Sequence, residues 1–549
     1  MTGDDGDAGR ANAGAETDVD PVTLEIVRNQ FESVAEEMGQ VLVTSSYSPN
    51  IKERRDCSTA LFDAEGRLVA QAEHIPVHLG AMPEAVETVL DYDPEPGDVF
   101  VLNDPFEGGT HLPDVTLVSP LSVDGEVLGY AVSRAHHADV GGMTPGSMPA
   151  GAREIYQEGL RLPPVRLVEG GETNEDVLSI LLANVRNPGE RRADVRAQIA
   201  ANERAEERLR DLVAEHGRDR IVAAFDAVIG YSRDRVTAEL RALPDGEYRA
   251  RDVLEGDGVT DDDVPIEVTV TVDDGSVTVD FDGTAPQVAG NVNAPLAVAK
   301  SAVYFVVRCV TDPEIPPNQG CYDPITVSVP DGSLLNPDPP AAVVGGNVET
   351  SQRVTDVVFT ALADAAPDRV PAQGQGTMNN LTIGSRAGGA DGFTYYETIG
   401  GGFGGLSSRD GMDGVQVGMT NTLNTPVEAL EAEYPLFVEA YGLRENSGGR
   451  GRHRGGLGIV RSVTVEADAT VSLLTERRRV APRGIAGGED GATGENLVDG
   501  ASVPAKTTRD VAAGTTVTVR TPGGGGHGDP AERAEADSER DEADEKMDW

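Results

Sequence analysis

The sequence predicts a multi-domain α+β protein with a helix-rich N-terminal half and a β-rich C-terminal half. A chain of 549 residues is too long for one hydrophobic core, so we expect two to four domains. Apolar residues recur at helical spacing over residues 21–38 and 191–243, whereas short apolar runs bounded by turn residues fill much of the remainder. The 65 glycines and 34 prolines also favour a fold rich in turns over a helical bundle.

The first half of the chain opens with a predicted amphipathic helix for which Asp20 is the expected N-cap. Its apolar face comprises Leu24, Val27, Phe31, Val34 and Met38. Turn signals such as Asp124-Gly125 separate the strands that follow. These strands are predicted at residues 59–62, 67–71, 99–102, 115–118 and 127–133. Long helices rich in Ala, Arg and Glu are then predicted over residues 191–243.

The second half begins with a predicted β-hairpin. Residues 266–281 alternate apolar and polar side chains around Asp273-Asp274-Gly275, a sequence typical of a tight hairpin turn. Buried helices are predicted at residues 295–310 and 348–365, and strands at 460–465, 470–474 and 515–519. We accordingly expect a disordered acidic tail at 1–20, an N-terminal domain at 21–243, a central α/β domain at 244–430, a β-rich domain at 431–525 and an acidic tail at 526–549.

The charge balance is strongly acidic. Against 93 Asp and Glu residues stand 45 Lys and Arg, of which only four are lysine, so the formal net charge is −48. Because this acid is interleaved with ordinary apolar periodicity, it indicates a folded protein with an acidic surface rather than a disordered chain. Repulsion on such a surface is screened at molar salt, where the Debye length is ~3 Å, so we expect a halophilic source. Binding to nucleic acid or to an anionic membrane is disfavoured.

The cysteine and apolar content predicts a soluble cytoplasmic protein. The 3 cysteines form no CxxC pair, which favours a reducing compartment. No apolar leader is seen in the first twenty residues. The most apolar stretch, residues 295–310, is interrupted by Lys300 and Arg308 and is too short to span a membrane.

Histidines and carboxylates cluster in the first third of the chain. Of 8 histidines, five lie between positions 74 and 137. They alternate with Glu53, Glu73, Asp104, Asp114 and Asp139. Such a mixture of imidazole and carboxylate donors on strand ends and loops is typical of a divalent metal site.

The sharpest motif in this cluster is His111-Leu112-Pro113-Asp114. Gly108 and Gly109 precede it and permit a tight turn, and Pro113 fixes the backbone between the two donors. This arrangement favours a pair of metal ligands, His111 and Asp114. The alternative is that His111 caps a turn and Asp114 faces solvent, and the pair alone does not decide between the two.

The second motif is His136-His137 beyond a predicted strand. Adjacent side chains there point to opposite sides, so we expect one of them in a pocket and the other in a supporting role. Asp139 or Asp104 is a candidate to orient the ligand by accepting its far ring N–H. His74 and His78 straddle Pro76, which favours pocket-lining or packing roles for them over a helical HxxxH site.

Several motifs of other enzymes are missing from the sequence. There is no GxxxxGK[ST] phosphate loop, no HExxH and no GxSxG. The glycine-dense segment GGGFGG at 400–405 does not follow a clear strand in a βαβ unit. We therefore interpret it as a flexible loop near a ligand or partner rather than a dinucleotide site.

The chain resembles the hydantoinase B/oxoprolinase family over roughly residues 20–530. The first matching motifs are SPNIKERRD (48–56), HIPVHLGAM (74–82), NDPFEGGTHLPD (103–114) and AHHADVGG (135–142). Further matches are GNVNAP (290–295), GNVETSQR (346–353), GTMNN (376–380), TNTLNTPVE (420–428) and SGGRGR (447–452). The family includes N-methylhydantoinase second subunits, the C-terminal half of 5-oxoprolinase, and a subunit of acetone and acetophenone carboxylases.

The resemblance implies a mechanism divided between two subunits. An actin-like hydantoinase A-type ATPase partner phosphorylates the substrate, and a metal site on this chain then opens the ring with water. The expected enzyme is an ATP-dependent cyclic-amide hydrolase in a hetero-oligomer. The alternatives are an acetone or acetophenone carboxylase subunit and a non-catalytic scaffold for the ATPase.

The resemblance also implies the site residues. It gives Glu53, His111, Asp114 and His136 as ligands of Zn, Mn or Fe. It makes His137 and Asp139 candidates to support the ligands, and with Asp104 they are the predicted catalytic residues. Arg54 and Arg353 are predicted to bind a phosphorylated or carboxylate-bearing intermediate.

Overall fold

The computed structural model describes residues 20–386 and 392–549, so the predicted tail at 1–20 lies outside the described residues apart from Asp20. The α-helices are Pro21–Ser45 (α1), Pro49–Lys52 (α2), Ala81–Leu90 (α3), Glu175–Ala183 (α4), Pro188–His216 (α5), Arg218–Arg241 (α6), Leu296–Val310 (α7), Gln319–Tyr322 (α8), Ser351–Leu362 (α9), Val427–Glu433 (α10) and Glu535–Ala543 (α11). A π-helical turn, Gly346–Thr350, leads into α9. Short 3₁₀ turns lie at Pro76–His78, Pro145–Ser147, Ile155–Gln157 and Pro530–Glu532.

Within the described residues the strands form four sheets. In the first half they are Cys57–Asp63 (β1), Leu68–Glu73 (β2), Val99–Leu102 (β3), Asp114–Val123 (β4), Glu126–His136 (β5), Val165–Glu169 (β6), Glu172–Thr173 (β7), Gly246–Glu255 (β8) and Asp263–Asp273 (β9). The others are Ser276–Asp280 (β10), Ile325–Ser328 (β11), Asn380–Ser385 (β12), Thr394–Thr398 (β13), Leu436–Arg444 (β14), Gly458–Val465 (β15), Ala469–Leu474 (β16), Glu495–Val498 (β17), Ala501–Ser502 (β18), Lys506–Val511 (β19) and Thr516–Arg520 (β20).

The α+β prediction is confirmed, and each predicted helix and strand has a counterpart. The first half also contains the largest sheet, with strand order β2-β1-β5-β4-β3-β6-β7. The other sheets have the orders β11-β10-β9-β8, β13-β12-β16-β19 and β14-β15-β20-β17-β18. None of the helices in residues 20–386 and 392–549 is both long and apolar enough to cross a membrane.

Local chemistry explains the elements that carry the site. The carboxylate of Asp20 accepts from the backbone N–H groups of Val22 and Thr23, and caps α1 as predicted. Asp124 and Gly125, with φ of 53° and 82°, form the tight turn that joins β4 to β5. All seven residues of β1 are buried, so β1 is an interior strand of the large sheet.

Helices cover both faces of this sheet. On one face α1, α5 and α6 form a core with β1 and β5, in which the rings of Phe31 and Phe225 lie 4.9 Å apart. On the other face a larger core joins α3, α7 and α9 to β8, β9 and β10. This core contains residues on both sides of position 243, the predicted boundary between the N-terminal and central domains. The predicted domain boundaries therefore stay predictions.

Glycine segments pack backbone against backbone in the C-terminal half. The amide of Gly405 donates to the Gly525 carbonyl at 2.8 Å, and that of Gly456 donates to the Phe403 carbonyl at 2.7 Å. A Cβ at Gly404 would lie 1.7 Å from the carbonyl oxygen of Ala372. The segment at 400–405 is a loop, as predicted, but it is tightly packed and not flexible, because these glycines permit close backbone packing.

The chain end from 526 to 549, predicted as an acidic tail, contains α11 and packs onto the β-rich region. The carboxylate of Asp541 forms ion pairs with Arg454 at 3.0 Å and with Arg533 at 2.6 Å. The Arg533 guanidinium also lies 4.6 Å from the ring centroid of Trp549. These contacts anchor the end of the chain.

Candidate metal centre

His111, Asp114 and His136 converge in the interior of the protein. Each offers a ligand atom, and these atoms all lie within 4.8 Å of one another. His111 Nε2 lies 3.3 Å from Asp114 Oδ1, and the two imidazole centroids are 5.0 Å apart. A fourth side chain, His78, places its Nε2 3.6 Å from Asp114 Oδ2. The two motifs singled out in the sequence thus meet at one point.

Strand register brings them together. β4 begins at Asp114 and β5 ends at His136, and these two residues are directly paired in the sheet. Asp56 lies just before β1, whose first residue pairs with Ala135 on β5. The cluster therefore lies at one end of three adjacent strands, a rigid support for donor atoms.

A tight loop positions His111. A Cβ at Gly109 would lie 2.6 Å from the carbonyl oxygen of Asp104, so only glycine fits there. The amide of Asp114 donates to the His111 carbonyl at 3.0 Å, which closes the turn. The Thr110 hydroxyl donates a short hydrogen bond to the Asp114 carboxylate. This loop fixes the imidazole and the carboxylate relative to each other.

A separate set of contacts orients His136. The Asn50 amide nitrogen lies 3.0 Å from His136 Nδ1 and donates to the His136 carbonyl at 2.8 Å. Arg54 donates to Asn50 Oδ1 at 2.7 Å, so the amide cannot rotate freely. The ring of Tyr396 stacks on the imidazole at 4.6 Å with an interplanar angle of 8°. These contacts hold the ring with Nε2 on the side away from Asn50.

The donor atoms of the cluster suit a cation. His111 Nδ1 and His136 Nε2 are buried without a hydrogen-bond partner, and His111 Nε2, 3.3 Å from the Asp114 carboxylate, makes no hydrogen bond to it. A buried polar atom left without a partner costs about 1–3 kcal/mol, whereas a bound cation would satisfy one nitrogen of each imidazole. The cavity between them measures about 20 Å³, which is the size of an ion or a water molecule. The residues present therefore fit a metal ion.

The electrostatics favour the protonation states that metal binding needs. Burial lowers the pKa of His136 well below its ordinary value, and the neighbouring His111 acts in the same direction. Burial acts to raise the pKa of Asp114, but His111 and His78 hold it well below its ordinary value. A neutral imidazole beside an ionised carboxylate is the state in which both bind a divalent cation.

The structure does not bring Glu53 into this cluster. Glu53 directly follows the short helix α2 as its C-cap and is half-buried, and it is not among the side chains that line the cavity. Asp56, three residues along, does line the cavity and is buried. Burial raises the pKa of Asp56 to about 7, while Arg54 acts in the opposite direction. Asp56 directly precedes an interior strand of apolar and small residues. That position in the sequence could have identified Asp56 as a buried carboxylate.

His137 and Asp139 lie behind the cluster. As expected for adjacent residues at a strand end, His137 points away from His136 and its Nε2 lies 3.0 Å from Gln198 Oε1 on α5. Asp139 pairs with Arg186 at 3.0 Å and accepts from the backbone amide of Gly141. Both contacts hold the backbone around the site. The catalytic roles predicted for His137 and Asp139 stay predictions.

The remaining candidates have other partners. Asp104 pairs with Arg161 in a separate open hollow. Arg353 forms buried ion pairs with Asp252 at 3.4 Å and Glu476 at 3.2 Å. Because these donors and acceptors are engaged within the protein, the catalytic role of Asp104 and the substrate-binding role of Arg353 stay predictions.

Arg54 lies beside the cavity but is also engaged. Besides Asn50, its guanidinium donates to the carbonyl of Tyr396 at 3.0 Å and to the hydroxyls of Thr398 at 2.6 Å and Thr422 at 3.1 Å. Those two threonines line the cavity themselves. In this arrangement Arg54 ties together the loops that enclose the cluster.

Known proteins resemble this chain in sequence and in fold. A model of the hydantoinase B/oxoprolinase family matches residues 20–530. 5-oxoprolinase 1 of Arabidopsis thaliana is 41% identical over 544 residues, which cover 94% of this chain but 42% of that protein. The crystal structure of an ATP-dependent caprolactamase from Pseudomonas jessenii superposes with a TM-score of 0.89 at 30% identity, covering 96% of this chain and 95% of that one. The nucleotide-free structure of acetone carboxylase superposes with a TM-score of 0.87 at 19% identity, covering 96% and 78%, and shows a shared fold.

Proposed function

Because the chain belongs to the hydantoinase B/oxoprolinase family, we propose that it is the metal-site subunit of an ATP-dependent enzyme that hydrolyses a cyclic amide. The observation that carries this proposal is the buried cluster of His111, Asp114 and His136 with unpartnered ring nitrogens. Relatives by sequence and structure include a 5-oxoprolinase and an ATP-dependent caprolactamase. The substrate is accordingly a ring of the hydantoin, 5-oxoproline or lactam type.

In this proposal ATP is hydrolysed outside residues 20–530, by a hydantoinase A-type ATPase. The sequence has no phosphate-binding loop, and the chain spans less than half of the length of the 5-oxoprolinase it matches. A hydantoinase A-type ATPase subunit would phosphorylate the amide oxygen of the substrate and so make its carbonyl carbon easier to attack. This chain would then receive the activated ring, and the two subunits would form a hetero-oligomer.

His111, Asp114 and His136 would hold a Zn, Mn or Fe ion, and Asp56 lies close enough to the cavity to serve as the second carboxylate. When bound, the ion would supply Lewis-acid polarisation or an ionised water at neutral pH. Asn50 and Tyr396 keep the His136 ring in place, and the buried walls exclude bulk water. A rigid, water-excluded site strengthens each electrostatic contact with the developing negative charge.

Metal content tests the proposal. We expect the full chain, purified at molar salt, to carry about one divalent cation per molecule by elemental mass spectrometry. A His111→Ala/Asp114→Asn variant is expected to lose it, whereas His216→Ala, a half-buried histidine on α5, is expected to keep it. Circular dichroism would show that both variants fold. A folded double variant with full metal content would refute the assigned ligands.

Reconstitution with the ATPase subunit tests the reaction. We expect ATP use and ring opening with a cyclic amide and no requirement for bicarbonate. Bicarbonate-dependent ATP use with acetone or acetophenone would instead support a carboxylase. The likeness to the acetone carboxylase structure, at 19% identity, shows a common fold and does not by itself favour this activity. Full turnover by a metal-free chain paired with the ATPase would support the scaffold alternative and refute the metal-site role.

A further inference from the structure

A buried carboxyl group that the proposed function does not use lies next to the wall of the metal cavity. Glu349 is fully buried and belongs to the π-helical turn Gly346–Thr350. Asn347 and Val348, in the same turn, line the cavity, and the Asn347 amide donates to the Asp114 carboxylate at 3.4 Å. Single π-helical turns are frequent at functional sites. We therefore ask what Glu349 contacts behind this wall.

The Oε1 atom of Glu349 accepts two hydrogen bonds. The side-chain amide of Asn380 donates to it at 2.8 Å, and the backbone N–H of Met378 donates to it at 3.2 Å. Asn380 is the first residue of β12, and Met378 lines the metal cavity. Both donors are held in place, because a buried donor that loses its partner costs about 1–3 kcal/mol.

The side-chain amide of Asn380 carries this constraint to Tyr396. Besides its bond to Glu349, Asn380 Nδ2 donates to the carbonyl of Leu474 at 2.9 Å. Asn380 Oδ1 accepts from the Tyr396 hydroxyl at 2.9 Å. Because both hydrogens of Nδ2 are engaged, the amide has a single orientation, and in that orientation its oxygen faces the tyrosine.

The series of contacts ends at the imidazole of His136. The Tyr396 ring, on β13, stacks on it at 4.6 Å with an interplanar angle of 8°. Asn50 contacts the same imidazole at Nδ1 and so fixes one edge of the ring. A tilt of the imidazole out of its own plane is then limited by the tyrosine face. The position of Tyr396 therefore determines where His136 Nε2 points.

Glu349 offers its acceptor as a neutral acid. Burial raises the pKa of its carboxyl group to about 8, so the group is protonated at neutral pH. Oε1 accepts both hydrogen bonds, whereas Oε2 is buried without a hydrogen-bond partner, and the proton accordingly belongs to Oε2. A glutamine side chain has the same length and the same carbonyl acceptor. Exchange of the acid for an amide should therefore preserve the contacts, whereas removal of the acceptor should not.

We propose that Glu349 is a positioning residue of the metal centre. It orients the His136 imidazole through Asn380 and Tyr396, and it fixes Met378 at the cavity wall. The inference rests on the proposed function, in which His136 is a metal ligand, and deepens it by a residue that acts from outside the ligand set. Groups that hold a metal-bound imidazole change metal affinity about 10–100-fold when they are removed.

Histidine-selective ¹³C labelling tests the positioning in the full chain stripped of metal. The sequence has 8 histidines, so the ring signals are few, and the signal lost in His136→Gln assigns His136. Glu349→Leu fills the space with hydrocarbon and offers no acceptor. We expect it to shift the His136 signal, because the Tyr396 ring above the imidazole moves, and to leave in place that of His216, a half-buried histidine on α5. An unchanged His136 signal in the folded variant would overturn the proposal.

Cobalt binding supplies a second measurement. The stripped chain is titrated with Co²⁺, whose visible absorption bands depend on the geometry of its ligands. We expect Glu349→Leu to bind Co²⁺ about tenfold more weakly and with altered bands. Glu349→Gln keeps the carbonyl acceptor and is expected to bind as the unsubstituted chain does. Equal weakening in the two variants would overturn the acceptor role, as would full affinity in Glu349→Leu.

Two adjacent tyrosines on β13 provide a matched pair of variants at the other end of the series of contacts. Tyr396→Phe keeps the ring but removes the hydroxyl that donates to Asn380, and is expected to shift the His136 signal. Tyr395→Phe removes the same group from a ring on the opposite side of the strand, which packs 5.2 Å from another tyrosine, and should leave the signal in place. Equal shifts in the two variants would overturn the proposal. This pair also decides the question should Glu349→Leu fail to fold.

The outcomes separate this inference from the proposed function. If the unsubstituted chain bound no Co²⁺ but the His136 signal shifted in Glu349→Leu, the metal role would fail and the positioning role would stand. If the unsubstituted chain bound Co²⁺ but Glu349→Leu changed neither the affinity nor the His136 signal, the positioning role alone would fail.

Discussion

Substitution of Arg353 tests whether this residue binds substrate or stabilises the fold. Its side chain is fully buried on α9 and joins Asp252 to Glu476. In Arg353→Met a side chain of similar length fills the space but the charge is lost. Asp252 would still face Arg477 and Arg483, each at 3.3 Å, so its charge would stay compensated. We therefore expect a loss at the lower end of the range for breaking a buried pair, about 3 kcal/mol.

Glu476→Gln should cost more, about 5 kcal/mol, because it removes the carboxylate paired with the buried Lys506 and leaves Arg353 with Asp252 alone. Burial alone would raise the pKa of Glu476, but Lys506 and Arg353 hold it below its ordinary value, so the group is ionised in the folded protein. A surface pair provides the control. Arg249→Met removes an exposed contact to Glu247 and should change stability by about 0–1 kcal/mol.

The assay is urea unfolding at molar salt, where surface pairs are screened but buried ones are much less so. We expect the loss of stability to be greatest for Glu476→Gln, smaller for Arg353→Met and close to zero for Arg249→Met. Metal content and substrate KM of folded Arg353→Met should match the unsubstituted chain. Unchanged stability with a raised KM would refute this reasoning and restore the substrate-binding role.

Three further perturbations test the fold and its electrostatics. Gly524→Ala should destabilise the chain by about 1–3 kcal/mol in urea unfolding, because a Cβ there would lie 2.1 Å from the Phe403 carbonyl oxygen. The control Gly189→Ala should be tolerated, because there is open space around its Cβ. Equal stabilities of the two variants would contradict the close backbone packing at Gly524. Burial raises the pKa of Glu349 to about 8 from 4.5, so the unfolded state loses its proton first and the free energy of unfolding should fall as pH rises from about 4.5 to about 8. That slope should flatten in Glu349→Gln, and an identical pH profile would show that Glu349 is ionised in the folded protein. Asp541→Asn should release the chain end held by Arg454 and Arg533, which faster proteolysis near α11 would report and unchanged digestion would contradict.

The candidate metal cluster was only partly predictable from the sequence. His111-Leu112-Pro113-Asp114 could be identified because its two donors are held by one local turn. His136 could be separated from His137 because strand geometry sends adjacent side chains to opposite sides. The resemblance then selected Glu53 as the second carboxylate, whereas the structure places Asp56 at the cavity. The two lie three residues apart, and only the exit from α2 into β1 determines which one faces the histidines.

The arginines show a second limit of sequence reasoning. Arg353 and Arg54 are both consistent with anion binding, since a guanidinium suits a phosphate or a carboxylate equally well. The structure gives each of them protein partners from distant parts of the chain, such as Glu476 for Arg353 and Tyr396 for Arg54. No sequence pattern records these pairs, because the residues lie more than a hundred positions apart.

What the sequence alone determined is local. Helical and strand periodicity, the Asp124-Gly125 and Asp274-Gly275 turns and the acidic surface follow from neighbouring residues, since dihedral preferences and amphipathic spacing act over one or two turns. What only the tertiary structure decided is which side chains meet. The Asp114–His136 register, the packed glycine segments and the stacking of Tyr396 on His136 depend on contacts between distant strands. Those contacts are fixed by burial of the whole core, which no short stretch of sequence specifies.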